Sequence, residues 1–240
     1  MGTTSGTRVH PSAVVGPGVD LGADVVVGPH VVLLGPLVVG DGCWVGPHTV
    51  VGAPAEIRDI DHGAAWDGDL VGTGITIGAR TVLREHVTVH QGHYDVTTVG
   101  DGCYLMNRAY VAHDDRVADG VTMASAATLA GHVHVGRGAY VGLGAVVHQR
   151  VVVGPGAMVG MGAVVTRPVP PWAKAFGAPC RAQGANTVGL ERAGAPPETV
   201  ARLREVYAVG GPGAAAWAAG TEAPEGLVDD AAWWRARVPG

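Results

Sequence analysis

Four of the eleven histidines, His90, His113, His132 and His148, stand one to three residues after an aliphatic position of a single repeating register. Imidazole is the side chain whose ordinary pKa lies nearest neutrality, so several held together can move protons, donate and accept hydrogen bonds, or ligate a metal. Which of these applies depends on the element that holds them, and that element is legible as a period.

Aliphatic residues recur every six positions, commonly followed by Gly or another small residue. The register runs Val15, Leu21, Val27, Leu33, Val39, Val45, Val51, resumes at Val71, Ile77, Leu83, Val89, and then takes twelve unbroken positions from Val99 to Val165, giving 23 hexads. A helix repeats every 3.6 residues and a simple strand every two, so neither explains a six-residue unit with one inward aliphatic and small residues at the bends. The pattern resembles the hexapeptide repeat of left-handed parallel β-helices, in which three six-residue faces close a triangular coil. That resemblance supplies the left hand. The expected fold is therefore an all-β solenoid, a left-handed parallel β-helix over residues 10–168, with loops at about 53–70 and 91–98 leaving from corners. Residues 169–240 form a C-terminal extension with short helices expected at 197–209 and 229–237, joined by a loose link over 210–220. Trp233 and Trp234 are expected to pack in that tail.

With three faces per coil, hexads 18 residues apart stack at about the 4.8 Å spacing of a parallel sheet. The hexads at Val111, Leu129 and Val147 then share a face. The hexad at Val89 joins them if the 91–98 loop bulges from one corner. Their four histidines admit three readings at this point: a solvated polar face, a metal site, or a groove lined by imidazoles for proton transfer. A metal site requires ligands that converge on one point, which a ladder spread over successive coils does not provide.

Composition narrows the rest. Thirty-nine Gly and 16 Pro would suit a disordered or collagenous chain, but 47 % of residues are hydrophobic and Gly does not recur at every third position. A single Phe means that Val, Ala, Leu and Ile fill the core. A net charge of −5 argues against nucleic acid or an anionic membrane as the main partner. The three cysteines, Cys43, Cys103 and Cys180, lack the spacing of a disulfide framework or a metal knuckle. No apolar run reaches the length of a membrane span and no signal peptide is evident, so a soluble cytoplasmic protein is expected, with no integral membrane association.

Several segments carry a more specific likeness. Tyr110-Val-Ala-His-Asp, Ala127-Thr-Leu-Ala-Gly-His-Val, Ala145-Val-Val-His-Gln, Val87-Thr-Val-His-Gln-Gly and Val169-Pro-Pro together resemble the UDP-N-acetylglucosamine O-acyltransferases of lipid A synthesis, over roughly residues 10–207. The resemblance implies transfer of a 3-hydroxyacyl group from an acyl-carrier-protein or CoA thioester to a hydroxyl or amine of a nucleotide-linked sugar. It implies no covalent acyl-enzyme and no bound cofactor or metal, and it implies a homotrimer with clefts between neighbouring copies. By position, His113 matches the general base, Asp114 the carboxylate that orients it, His132 a substrate contact and the Gly131 N–H the oxyanion donor. His90, His148 and Gln149 match residues lining the cleft, and Tyr110 stands where the family has a second histidine. Asn186, Gly189, Leu190 and Arg192 fit a nucleotide-contacting motif, in which Val188 and Ala193 replace an acid and an Arg. The segment 55–59 has no clean match to the family's acidic and basic pair. Met161 falls where the family sets acyl-chain length. A hexapeptide protein of another class, a γ-type carbonic anhydrase-like metalloenzyme or a structural solenoid, is the alternative.

Overall fold

In the computed structural model, which describes residues 6–60, 72–208, 215, 217, 224 and 226–238, the six-residue register becomes a series of short strands, β1 (Arg8–Val9) to β25 (Arg181–Ala185), joined by tight corners. Strands pair in parallel one coil apart: Val15 with Leu33, Val111 with Leu129, and Leu129 with Val147. The chain visits three sheets in turn, a first face of 10 strands, a second of 8 and a third of 7. They close a left-handed parallel β-helix.

The interior explains the composition. In the described hexads from Val27 onward the register residue and the residue two before it point inward, as in Ala109 and Val111, Ala127 and Leu129, Ala145 and Val147, all buried. Each buried Val or Leu contributes about 1.5–3 kcal/mol. The small partner beside it keeps the narrow coil from overfilling. Backbone crowding is equally tight at Gly52, where φ is +108° and an added Cβ would lie 2.0 Å from the Leu34 carbonyl oxygen.

Both interruptions leave the stack intact. Val51 pairs with Val89, 38 positions on, which is 20 beyond a coil, and Val89 pairs with Val111, 22 on, which is four beyond a coil. The first insertion is described only as far as Ile60, so Val71 and the remainder of the expected 53–70 loop lie outside the described residues. The second is the loop 91–98, between β11 (Thr88–His90) and the end of β12 (Thr97–Val99).

After Val165 the period ends. β24 (Ala173–Phe176) extends the first face in parallel with β22 (Met158–Val159), and β25 returns antiparallel to it. Among the described residues follow the helices α1 (Thr187–Arg192), α2 (Pro197–Val206) and α3 (Val228–Arg235). The last two end earlier than the sequence suggests, and most of the 210–220 link lies outside the described residues. Trp172, Leu190, Leu203, Trp217, Leu227 and Trp234 make a second small core. Asp230 anchors α3 to the solenoid from a buried position. It accepts the Trp172 indole N–H at 2.8 Å and pairs with Arg137 at 2.8 Å. Among the described residues no helix is long and apolar enough to cross a membrane.

Candidate active site

The corner leading from the second face to the third builds the site. It follows β14 (Tyr110–Val111), β17 (Thr128–Leu129) and β20 (Val146–Val147), which are adjacent in the second face. Two positions past the register residue lie His113, Gly131 and Gln149; three positions past it lie Asp114, His132 and Arg150. Each set comes from successive coils. Asp114, His132 and Arg150 occupy the left-handed region, with φ of 61°, 62° and 60°, a conformation that Asp and His enter more readily than most residues. Backbone bonds lock the corner vertically: His132 N–H donates to the His113 carbonyl at 3.2 Å and Arg150 N–H to the Gly131 carbonyl at 3.0 Å.

Stacking brings the side chains together. The His113 and His132 rings meet edge to face at 5.2 Å between centroids. Asp114 Oδ2 lies 2.7 Å from His113 Nδ1 and 3.7 Å from His132 Nε2. Its other oxygen, Oδ1, accepts the backbone N–H groups of His93, Tyr94 and Asp95 at 2.9, 2.9 and 2.8 Å. Burial opposes the charge on Asp114, yet the bonds from His113 and from these three amides outweigh it and hold the carboxyl below its usual range. An ionised carboxylate only accepts, so Nδ1 of His113 carries the hydrogen, and Nε2 presents a lone pair whenever the ring is neutral. Burial pushes the His132 pKa down, with Asp114 opposing and Arg150 and His113 reinforcing the shift.

Asp115, next in sequence, faces the interior instead. Its carboxylate accepts the Ala112 N–H at 2.9 Å and the Val133 N–H at 2.7 Å, tying two coils together, and its burial raises its pKa well above the usual value. Two adjacent aspartates therefore divide the work, one orienting an imidazole and one holding the corner.

The four histidines of the shared face do not form one ladder, because they sit at different steps of their hexads. His90, one past Val89, lies beside Tyr110 at 5.2 Å between ring centroids, donates from Nδ1 to the Pro54 carbonyl at 2.7 Å and faces Glu56 at 3.6 Å. His148 is exposed, its Nδ1 3.2 Å from the carbonyl of Gln149, which is exposed too. Met161, 78 % exposed, follows β22 at the corner between the first and second faces, a different corner from that of His113. The Asn186 side chain caps α1 by accepting from Gly189 N–H at 3.2 Å and donates to the Gly156 carbonyl at 2.9 Å, so both ends of its amide are engaged within the chain. Arg192 is exposed at the end of α1. Within one chain, then, His113, Asp114, Gly131 and His132 converge, His90 and Tyr110 pair on the adjoining face, and the remaining expected positions lie apart.

One ligand atom from each of His113, Asp114 and His132 falls within 4.8 Å of the others. This is closer than a ladder of successive coils suggests, because Asp114 adjoins His113 in the chain and lies against His132 on the next coil. Sequence reasoning placed a loop at 91–98 but did not bring its residues to this corner. Tyr94, 71 % exposed, stacks on the His132 ring at 5.8 Å and 27°, and meets His93 edge-on at 4.4 Å. Its only sequence signal is a His-Tyr pair in a four-residue insertion beside the histidine face.

Comparison with known proteins now bears on this corner and the tail. Residues 169–209 match the second domain of the UDP-N-acetylglucosamine O-acyltransferase family model. The solenoid superposes on UDP-N-acetylglucosamine acyltransferase from Campylobacter jejuni with a TM-score of 0.69, at 25 % identity, over 82 % of this chain and 80 % of that one. The chain is a relative of the UDP-N-acetylglucosamine O-acyltransferases. The Arabidopsis UDP-N-acetylglucosamine acyltransferase superposes with a TM-score of 0.64 at 27 % identity, covering 82 % of this chain and 79 % of its own. The acyl-[acyl-carrier-protein]--UDP-N-acetylglucosamine O-acyltransferase of Brucella ovis is 33 % identical over 129 residues, which is 45 % of this chain and 44 % of the Brucella protein. The matched region thus spans less than half the length of that curated relative.

Proposed function

We propose that this acyltransferase relative moves a (3-hydroxy)acyl group from an acyl-carrier-protein or CoA thioester to a hydroxyl or amine of a nucleotide-linked sugar. The observation that carries the reading is the His113 ring, held through Nδ1 by Asp114 Oδ2 at 2.7 Å, with Nε2 turned toward Gly131. Nε2 takes the proton of the acceptor hydroxyl as its oxygen attacks the thioester carbonyl. A developing oxyanion accepts a hydrogen bond from Gly131 N–H, which has no partner among the described residues; one such donor is commonly worth about 3 kcal/mol. Collapse expels the thiolate, which recovers the proton from His113, so no acyl-enzyme forms and no cysteine takes part.

Met161, His148, Gln149, Asn186 and Arg192 enter this reading through a neighbouring copy. A cleft between copies of a homotrimer would bring together corners that one chain keeps apart, which the exposure of these positions supports, Asn186 excepted. The test is mass-spectrometric detection of acyl transfer from a panel of acyl-carrier-protein and CoA donors to several sugar nucleotides. Transfer by the wild type and a loss of two or more powers of ten in turnover for His113→Ala are expected. Near-normal transfer by the variant would remove His113 as base.

A second reading rests on the convergence of His113, Asp114 and His132, whose donor set suits a divalent transition metal. Stoichiometric zinc retained after dialysis, with hydratase activity in place of acyl transfer, would favour it.

A further inference from the structure

A second cluster of nitrogen groups lies on the third face, outside the residues used above. Thr98 on β12, Arg116 on β15 (Arg116–Val117) and His134 on β18 (His134–Val135) are in register on successive coils. The end of α3 faces them, and Trp233 and Arg237 close a cleft of about 180 Å³ over Thr98, Arg116 and His134.

This cleft is rich in donors and poor in acceptors. Arg237 stacks on Trp233 with its guanidinium carbon 4.3 Å from the ring centroid, and one terminal nitrogen donates to the Trp233 carbonyl at 3.1 Å. Its Nε and the Nδ1 of His134 are both buried without a hydrogen-bond partner among the described residues. Buried polar atoms without partners are uncommon and ask for a ligand or water. Among the described residues, the acid that pairs with these groups is Asp95, and it is held by Arg116. Burial first, and then the charge of Arg116, lowers the Arg237 pKa, while burial followed by Arg237 and Arg116 lowers that of His134. The site as it stands presses two guanidiniums beside the His134 imidazole, with Asp95 paired to Arg116 alone, and an anion would relieve it.

We infer that the cleft binds a tetrahedral oxyanion, the phosphate of an ester or free phosphate, between Arg237, Arg116 and His134. Donors converge from three elements, which a phosphate with three or more acceptor oxygens satisfies better than a planar carboxylate, and guanidinium is the group best fitted to it. The Trp233 ring gives an adjoining apolar wall for an organic remainder. The cleft also communicates with the imidazole corner through one residue: Asp95 holds Arg116 with its carboxylate and Asp114 with its amide.

The experiment is titration calorimetry of the full chain at low ionic strength with sodium phosphate, UDP and CoA. Binding of inorganic phosphate at or below the order of 10 mM is expected. Arg237→Gln and Arg116→Gln should each weaken it about tenfold or more. Tighter binding of UDP, lost in Arg237→Gln, assigns the ligand to a nucleotide; tighter binding of CoA assigns it to a pantetheine-bearing donor; phosphate binding as tightly as either assigns a free anion. Should Arg237→Gln disturb α3, His134→Gln leaves the helix alone and should still weaken binding several-fold. No phosphate binding by the wild type, or binding unchanged in all three variants, overturns the inference whatever the outcome of the acyl-transfer assay.

Discussion

Gly131 lies against the His113 imidazole: a Cβ added at this glycine would come within 2.8 Å of both Cε1 and Nε2 of the ring. The backbone at Gly131 is not left-handed, so it is the neighbouring ring and no conformational need that excludes a side chain. Gly131→Ala should therefore push the ring off its position while the coil survives. Turnover is expected to fall by at least tenfold, with circular dichroism and the melting temperature close to wild type. Wild-type turnover in this variant would mean that the ring position is not needed.

Asp114 is the acceptor for three loop amides as well as the partner of His113. Asp114→Ala should accordingly release the 91–98 loop, seen as faster hydrogen exchange at His93, Tyr94 and Asp95, along with a loss of transfer. Each loop amide that loses its bond to a charged acceptor gives up about 1.5–3 kcal/mol, lessened by solvation of the freed groups. Asp114→Asn keeps an acceptor oxygen and should be milder on both measures. Because the folded pKa of Asp114 is depressed, its stabilising contribution is complete above the usual carboxylate value and is lost as pH falls through the lower folded one. Loop exchange that is unchanged in Asp114→Ala would show that the three amides hold themselves.

His132 should titrate below the ordinary imidazole value of about 6.5 when followed by its ring proton resonances. Asp114 is the charge that raises its pKa and Arg150 one that lowers it. The midpoint should hence drop further in Asp114→Asn and rise in Arg150→Gln. In the window between the folded and unfolded values the unfolded chain binds more protons, so this group adds stability as pH rises, and its contribution is complete above the unfolded value. A midpoint that rises in Asp114→Asn would contradict the geometry.

Acyl length provides a test of Met161. On the proposed function its side chain occupies room that several methylenes would need, and each methylene denied burial forfeits about 0.8 kcal/mol. The wild type should prefer acyl groups of about ten carbons or fewer over fourteen, by about a hundredfold if three or four methylenes are excluded. Met161→Gly should shift the preference to longer donors. A donor series giving the same profile for both proteins would take Met161 out of the acyl path.

The solenoid was legible because its period is enforced by burial: a polar residue at Leu129 or Val147 would sit in the core, so the register is written into residue type. The same arithmetic placed Val89, Val111, Leu129 and Val147 on one face. What the period does not encode is the step within a hexad. A difference of one or two residues sends His113 and His132 to a shared corner and leaves His148 in solvent. The loop contacts were beyond reach for another reason. Tyr94, Asp95 and the amides on Asp114 belong to an insertion with no repeat, whose conformation is set by one carboxylate 19 to 21 positions away.

The 18-residue spacing between His113 and Gly131 makes the corner sensitive to length in an all-or-none way. Removing one hexad between them would carry Gly131 and everything after it to the next side of the triangle, while removing a whole coil would bring a different residue pair to the same corner with the faces kept. Sequence change in this stretch can thus proceed by substitution or by whole turns, and single-residue indels survive only where they bulge outward, as the four extra residues before β12 do. The distance between the groups of the corner is in that sense counted in turns of the chain, and no gradual drift of the backbone can tune it.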